Sequence, residues 1–202
     1  MLACCRQGTS HEIERMRRAT SDDTLNLLAI SGSTRHGSTN SALLRAIAAH
    51  APDGISLSLF TGIQSLPVFS PDNEGERTPA SVQAFCDQVC SADGLIISSP
   101  EYVRAIPGGL KNAIDWLVSR DEIIRKPVAL AHASHRGDDM LASLRLVLGT
   151  VTERFADEIF LRQALVSLSS EEVEALLCTD TAVRDIHDYL NRLREYIRQS
   201  SH

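Results

Sequence analysis

Apolar and polar residues alternate along the chain in blocks that predict strands and helices in turn. Apolar blocks predict five β-strands, at residues 25–31, 55–60, 94–99, 127–133 and 158–161. Apolar residues spaced three and four apart predict helices between and after them, at residues 41–50, 79–92, 109–119, 139–148 and 181–199. Alternating strands and helices are typical of an α/β fold with a parallel sheet.

Two of these strands indicate their own place in the sheet. Residues 25–31 are almost wholly apolar, as expected of a central strand that is covered on both faces. Residues 55–60 alternate apolar side chains with serines, so we expect an edge strand with one exposed face. With right-handed crossovers, the pattern favours a flavodoxin-like three-layer sandwich with a five-stranded parallel sheet in the order 2-1-3-4-5.

Composition and charge limit the partners that we expect. The net charge of −6 and the lack of a basic run argue against a nucleic-acid surface. No apolar stretch is long enough to span a membrane, and no signal-peptide core is present, so we expect a cytoplasmic protein. Five cysteines without metal-ligand spacing fit a reducing compartment. Residues 1–23 are polar and predict a disordered tail, and residues 24–202 predict one flavodoxin-like domain.

The first candidate site is the loop between the first strand and the first helix. Here the apolar run ends in Gly-Ser-Thr-Arg-His-Gly-Ser-Thr-Asn, at residues 32–40. Such a loop directs backbone N–H groups and the positive end of a helix dipole at one point, which suits a phosphate. Hydroxyl, guanidinium and amide groups that can donate to it belong to Ser33, Arg35, Ser38, Thr39 and Asn40. Asn40 and Ser41 could instead cap the helix.

Two phosphate-binding motifs do not fit this loop. Gly32, Gly37 and Thr39 have P-loop spacing, but Ser38 replaces the lysine that a triphosphate requires. The dinucleotide fingerprint fails because Thr34 replaces its second glycine and no acidic residue ends the second strand. A cradle for a monophosphate, such as that of flavin mononucleotide, and a Ser/Gly-rich turn that binds nothing both remain open.

The loop after the third strand has a composition that suits a flat ring. Pro100 and Pro107 stiffen its backbone, two glycines follow, and Tyr102 offers an aromatic surface. Such a loop can direct its amides at the edge of an isoalloxazine ring. The sequence is equally consistent with Glu101 at this site and with Glu101 as a solvated carboxylate in a turn. Because parallel strands end at one edge of the sheet, we expect this loop, the first loop and the loop at residues 134–138 to lie together.

The first two loops carry a resemblance to a known family. Residues 32–40, together with Ser-Pro-Glu-Tyr-Val-Arg-Ala-Ile-Pro-Gly-Gly-Leu-Lys-Asn-Ala-Ile-Asp-Trp at residues 99–116, resemble the NADPH-dependent FMN reductases over about residues 25–149. The resemblance implies an FMN-dependent oxidoreductase that takes hydride from NADPH or NADH and reduces a quinone-like acceptor. It also implies a homodimer or homotetramer with FMN at the subunit interface.

The resemblance also assigns site residues. It places Ser33, Arg35, Ser38 and Asn40 at the FMN phosphate, with Thr39 beside them. The residues that it places at the ribityl chain and the ring are Pro100, Glu101, Tyr102 and Val103, and it brings Ser134 against the flavin. Because the flavin carries the chemistry, no side chain is assigned as a catalytic acid or base. His132 and His135 flank the third loop without metal-ligand spacing, so we expect no metal site.

Two positions depart from the family pattern. Val103 stands where the family commonly has Asn, and Asp138-Asp139 stand where it favours a Gly-Gly pair. Carboxylates there would repel the 2′-phosphate of NADPH, although Arg104 and Arg136 could offset their charge. Two other classes of function remain open, a noncatalytic FMN-binding electron carrier or redox sensor, and an interaction module with an empty site.

Overall fold

The computed structural model describes residues 24–35 and 37–199, where five parallel strands form one sheet in the order β2-β1-β3-β4-β5. The strands are β1 (Leu25–Ser31), β2 (Ile55–Phe60), β3 (Gly94–Ser98), β4 (Val128–His132) and β5 (Phe155–Arg162). The predicted topology is therefore confirmed. The predicted tail at residues 1–23 lies outside the described residues, so the domain boundary stays a prediction.

Helices cover both faces of the sheet. They are α1 (Thr39–Ala49), α2 (Ala80–Ser91), α3 (Gly108–Asp115), α4 (Asp121–Ile124), α5 (Asp138–Val151), α6 (Ser170–Leu177) and α7 (Asp180–Gln199). Apolar side chains of α2, α3, α4 and α5 form one core layer, and those of α1, α6 and α7 form the other. No helix in the described part of the chain is long and apolar enough to cross a membrane.

The burial of β1 and β2 explains their different sequence patterns. In β1, Leu28 and Ile30 belong to one core layer, and Leu27 and Ala29 belong to the other. Every position on such a central strand meets a covering helix, so the strand is apolar throughout. β2 lies at the sheet edge with its serines exposed, as its alternation predicts.

Three elements differ from the sequence-based expectation. The third predicted helix ends early, at Asp115, and the short helix α4 follows it. β5 is longer than predicted because its polar residues Asp157 and Glu158 face solvent on an edge strand. Helix α6 was not predicted, although Ser169 and Glu172 form a capping box at its start.

The long segment at residues 61–79 connects β2 to α2 and contains three short 3-10 turns, Ile63–Ser65, Pro71–Asn73 and Gly75–Arg77. It is anchored to α3 because the Trp116 indole N–H and the Asn112 amide both donate to the carbonyl of Pro67, at 2.8 and 2.9 Å. Trp116 is fully buried, so its aromatic ring is a core residue.

Candidate cofactor site

The loops after β1, β3 and β4 meet at the carboxyl edge of the sheet. The Gly32 N–H donates to the carbonyl of Ser98 at 2.8 Å, so the first loop lies directly against the second. A Cβ atom at Gly32 would lie only 2.5 Å from the Ser99 hydroxyl oxygen, which leaves no room for a side chain. Glycine at this position therefore permits the close approach of the two loops.

The start of α1 forms the phosphate-type end of the site. Ser38 is the N-cap residue, and its hydroxyl oxygen accepts from the Ser41 N–H at 3.5 Å. The expectation that Asn40 or Ser41 caps this helix is therefore wrong. Asn40 is buried inside the first turn, where its Oδ1 accepts from the Ser98 hydroxyl at 2.9 Å, while the Ser41 hydroxyl lies 2.9 Å from that of Ser31.

A cavity of about 440 Å³ opens beside this helix start. The predicted site residues that line it are Ser33, Arg35, Ser38, Thr39, Asn40, Pro100 and Tyr102. Glu101, Val103 and Ser134 are not among its lining residues. One cavity therefore joins the phosphate-type loop to the first residues of the ring-type loop.

The far wall of the cavity comes from residues that the sequence analysis missed. They are Arg45 of α1 and Leu168, Ser169, Ser170, Val173 and Glu174 at the start of α6. Arg45 follows Ser38 by seven residues and so lies on the same face of the helix, and this spacing is the signal that could have identified it. The α6 residues are more than 120 positions away along the chain, and only the fold brings them here.

Two guanidinium groups and one carboxylate, that of Glu174, line the cavity, so its net charge is positive. Arg35 and Arg45 are exposed, and neither side chain has an ion-pair or hydrogen-bond partner within residues 24–35 and 37–199. They stand beside the N-terminus of α1, whose dipole is also positive. The chain as a whole is acidic, so this edge of the sheet differs from the rest of the molecule in having charge that suits an anion.

The loop after β3 makes a tight turn at residues 102–105. The Tyr102 N–H donates to the Ala105 carbonyl at 3.1 Å, and the reverse bond is 3.0 Å long. Val103 and Arg104 have φ angles of 53° and 59°, the left-handed pair of a type I′ turn. The Val103 side chain is 98% exposed at the tip of the turn.

Glu101 lies beside this turn but points at another helix. Its Oε2 accepts from the Met140 N–H at 3.0 Å, in the first turn of α5. The alternative of a freely solvated turn carboxylate is therefore wrong. The carboxylate satisfies one of the N–H groups that a helix start leaves unpaired, and its charge complements the helix dipole.

The loop after β4 is held by its own hydrogen bonds and by ion pairs. The Ser134 hydroxyl accepts from the Arg136 N–H at 2.9 Å, so this side chain is used within the loop. Asp139 pairs with Arg104 at 2.5 Å, and Asp138 pairs with Arg162 of β5 at 2.8 Å. The Arg104 guanidinium beside Asp139 lowers the pKa of that carboxyl. Arg162, and not Arg136 as expected, therefore offsets the charge of Asp138.

The described residues contain no group of three or more His, Cys, Asp or Glu side chains that could hold a metal ion. His132 is buried between backbone carbonyls, and His135 is exposed.

The fold and the site together define a flavodoxin-like domain with a cavity at the carboxyl edge of its sheet, beside the loop after β1. The model of the NADPH-dependent FMN reductase family matches residues 25–160, more than half of the chain. The chain therefore belongs to this family.

Characterised relatives share part of the chain. A quinone reductase of Escherichia coli K12 is 36% identical over 115 residues, which are 55% of this chain and 61% of that protein. An NAD(P)H-dependent FMN reductase of Pseudomonas aeruginosa is 39% identical over 114 residues, 55% of this chain and 61% of that protein. The chain thus spans less than two thirds of the length of these relatives.

Solved structures support the fold. The flavoenzyme NAD(P)H:acceptor oxidoreductase FerB of Paracoccus denitrificans superposes with a TM-score of 0.72 at 22% identity, covering 87% of this chain and 98% of that one. The apo form of the NADH:FMN oxidoreductase EMOB superposes with a TM-score of 0.61 at 23% identity, covering 85% of this chain and 89% of that one. At these identities the likeness establishes the architecture alone.

Proposed function

We propose that this protein is an FMN-dependent NAD(P)H oxidoreductase that passes hydride from a nicotinamide nucleotide through bound FMN to a quinone-like or other small acceptor. The observation that carries the proposal is the single cavity that joins the N-terminus of α1 to Pro100 and Tyr102. The names of the relatives, quinone reductase and FMN reductase, agree with it.

The residues of the cavity fit a flavin mononucleotide. The hydroxyls of Ser33, Ser38 and Thr39, the N–H groups of the first turn of α1 and the unpaired Arg35 guanidinium suit a dianionic phosphate. Tyr102 offers an aromatic surface for the ring, and Pro100 offers a rigid apolar one. A volume of about 440 Å³ lies within the range of cofactor pockets.

The protein side chains bind and orient in this proposal. FMN, when bound, supplies the hydride and electron chemistry. Arg35 and the hydroxyl groups fix the phosphate end, and the hydrogen-bonded turn at residues 102–105 keeps the second loop rigid. The contacts of Glu101, Val103 and Ser134 with the flavin stay predictions, and these groups would reach it through backbone atoms or across a subunit interface.

We further propose that NADH and NADPH are both accepted, with rates within about tenfold of each other. Asp138 and Asp139 already have arginine partners, so their repulsion of the NADPH 2′-phosphate is largely offset. A cytoplasmic homodimer or homotetramer completes the proposal. The exposed apolar side chains of Val103 and Tyr102 at the rim and of Val68 and Val118 near α3 are suited to a subunit contact.

The test is the affinity for FMN compared with that for riboflavin, measured by quenching of flavin fluorescence in the apoprotein. We expect FMN to bind far more tightly, because riboflavin leaves the phosphate cradle empty. Charge-assisted hydrogen bonds contribute about 1.5–3 kcal/mol each, so Arg35→Ala should weaken FMN binding about tenfold or more. Arg77→Ala removes an exposed arginine that does not line the cavity and serves as the control.

Equal affinities for FMN and riboflavin would overturn the assignment of the first loop. Anaerobic addition of NADPH then separates the enzyme from a carrier. Rapid bleaching of the bound flavin supports the oxidoreductase. Slow bleaching together with a stable semiquinone would instead show an electron carrier.

A further inference from the structure

One buried histidine lies between the loop after β3, which contributes Pro100 and Tyr102 to the cavity, and the loop after β4. His132 is the last residue of β4 and is 1% exposed. Its Nδ1 lies 3.1 Å from the carbonyl oxygen of Ser99, in the loop after β3. Its Nε2 lies 2.6 Å from the carbonyl oxygen of Arg136, in the loop after β4. A single imidazole ring therefore spans both loops.

The chemistry of the ring decides which of these contacts is a hydrogen bond. A neutral imidazole has one N–H donor and one nitrogen lone pair, and a lone pair cannot bond to a carbonyl oxygen. Repulsion would be strongest at the shorter contact, so the neutral ring carries its proton on Nε2 and donates to Arg136. The contact with Ser99 becomes a hydrogen bond only when Nδ1 is also protonated.

We propose that His132 is a positioning residue that sets the spacing of the two loops, through an Nε2–H bond to Arg136 in the neutral ring and an added Nδ1–H bond to Ser99 in the imidazolium. The consequence for cofactor binding rests on the proposed function, since Ser99 directly precedes Pro100 of the cavity wall.

The surroundings of His132 are shaped for this role. Gly137 has a φ of 101°, and a Cβ atom there would lie 2.9 Å from the His132 Nε2, so glycine leaves room for the ring. Two further contacts link the loop after β3 to the first turn of α5, which follows the loop after β4. They are the Glu101 bond to Met140 and the exposed Arg104–Asp139 pair. Exposed ion pairs contribute little, so the Glu101 bond and the buried His132 ring are the main links between the two loops.

The charged groups near His132 set the pH at which it changes form. Burial lowers the pKa of the imidazole, and Arg162 of β5 lowers it further. The two carbonyls and Asp138 of α5 oppose these effects. The neutral ring with one bond is therefore the form at pH 7, and the second bond appears only at a pH below the usual range for histidine.

The test is hydrogen–deuterium exchange of the apoprotein at pH 7.5, followed over residues 99–106 and 134–140. At this pH, His132→Leu removes the bond to Arg136 and should speed exchange in residues 134–140 by about tenfold relative to the wild type. His132→Gln has similar volume and keeps a donor at the Nε2 position, so it should restore slow exchange in residues 134–140. His135→Leu, three residues away and exposed, is the matched control and should change neither segment.

A second measurement follows the ring itself. Nitrogen-15 NMR of the His132 imidazole should show the Nε2–H tautomer at pH 8 and protonation of Nδ1 at a pH below the usual range for histidine. On that protonation, exchange in residues 99–106 should slow in the wild type, relative to His132→Gln at the same pH.

Equal exchange in His132→Leu and His132→Gln would overturn the proposal, because the histidine would then act only by filling space. An Nδ1–H tautomer at pH 8 would overturn it as well. Both readouts use the protein without flavin. If His132→Leu speeds exchange but the wild type does not bind FMN, only the proposed function is refuted. If the wild type binds FMN but His132→Leu leaves exchange unchanged, only the role of His132 is refuted.

Discussion

Val103 is held in a conformation that its side chain disfavours. Its φ is 53°, in the left-handed region that β-branched residues rarely adopt, and its 98% exposed side chain gains little packing in return. Asn, which the family commonly has here, tolerates this conformation. Val103→Asn should therefore stabilise the protein by about 1 kcal/mol, seen as a higher urea midpoint with an unchanged slope.

The matched control for this prediction is Val68→Asn. Val68 is also a highly exposed valine, but its φ is not positive. The same loss of apolar surface there should leave the midpoint nearly unchanged. A midpoint for Val103→Asn at or below the wild-type value would show that Val103 makes a stabilising contact, such as one in a subunit interface.

His132 also makes stability depend on pH. Because burial lowers its pKa in the folded protein, the unfolded chain takes up a proton at this residue at a higher pH than the folded one does. Its contribution to stability is complete above about pH 6.5 and falls as the pH drops toward the folded-state pKa. We expect the unfolding free energy to decline less between pH 6.5 and 5 in His132→Gln than in the wild type.

Chemical denaturation across this pH range measures the effect, with His135→Gln as the control that keeps the wild-type slope. Identical slopes in the wild type and in His132→Gln would mean that the pKa of His132 is the same in the folded and unfolded states.

At the level of single residues, sequence analysis identified the side chains whose role depends on neighbours in the chain. Ser33, Ser38 and Thr39 line the cavity because the loop and the helix that follows it place them there. It did not identify the role of Glu101, which depends on Met140, 39 positions away. Contacts of that range depend on how the loops pack, and the local pattern contains no signal for them.

At the scale of elements, the loop after β3 caps α5, a helix that follows a different strand, β4. The Glu101 carboxylate accepts from Met140 in the first turn of α5, where a negative charge is also favoured by the helix dipole. Glu101→Ala should destabilise the protein by about 1 kcal/mol, and Glu101→Gln by less, because its amide oxygen still accepts a hydrogen bond. Thermal unfolding measures both changes, and Glu76→Ala in the loop at residues 61–79 is the control.

If Glu101→Gln and Glu101→Ala lower the melting temperature equally, the charge rather than the hydrogen bond supports α5. If neither lowers it, the two acidic residues Asp138 and Asp139 at the start of the helix are sufficient.

The elements themselves were predictable to different degrees. β1 and β2 have the predicted bounds, since continuous and alternating apolar patterns each have one simple explanation. α4 was missed because a helix of four residues shows little periodicity, and α6 was missed as well. The capping box at Ser169 and Glu172 was the available signal for α6, and that helix forms a wall of the cavity.

At the scale of the molecule, the strand order brings the three candidate loops to one edge of the sheet. Strand order follows from handedness and from the apolar character of β1, so it is accessible from the sequence. The depth of the site could not be predicted from the sequence, because α6 and Arg45 form the opposite wall of the cavity.

The size of the cavity predicts the order of the reaction steps. At about 440 Å³ it lies near the lower limit of cofactor pockets, so a bound FMN leaves no room for a donor and an acceptor together. If the proposed function is correct, the nicotinamide nucleotide must then leave before the acceptor enters. Initial rates with NADPH and a benzoquinone should give parallel lines in double-reciprocal plots, which is ping-pong turnover. Intersecting lines would show that both substrates bind at once, and hence that subunit association or loop movement enlarges the site.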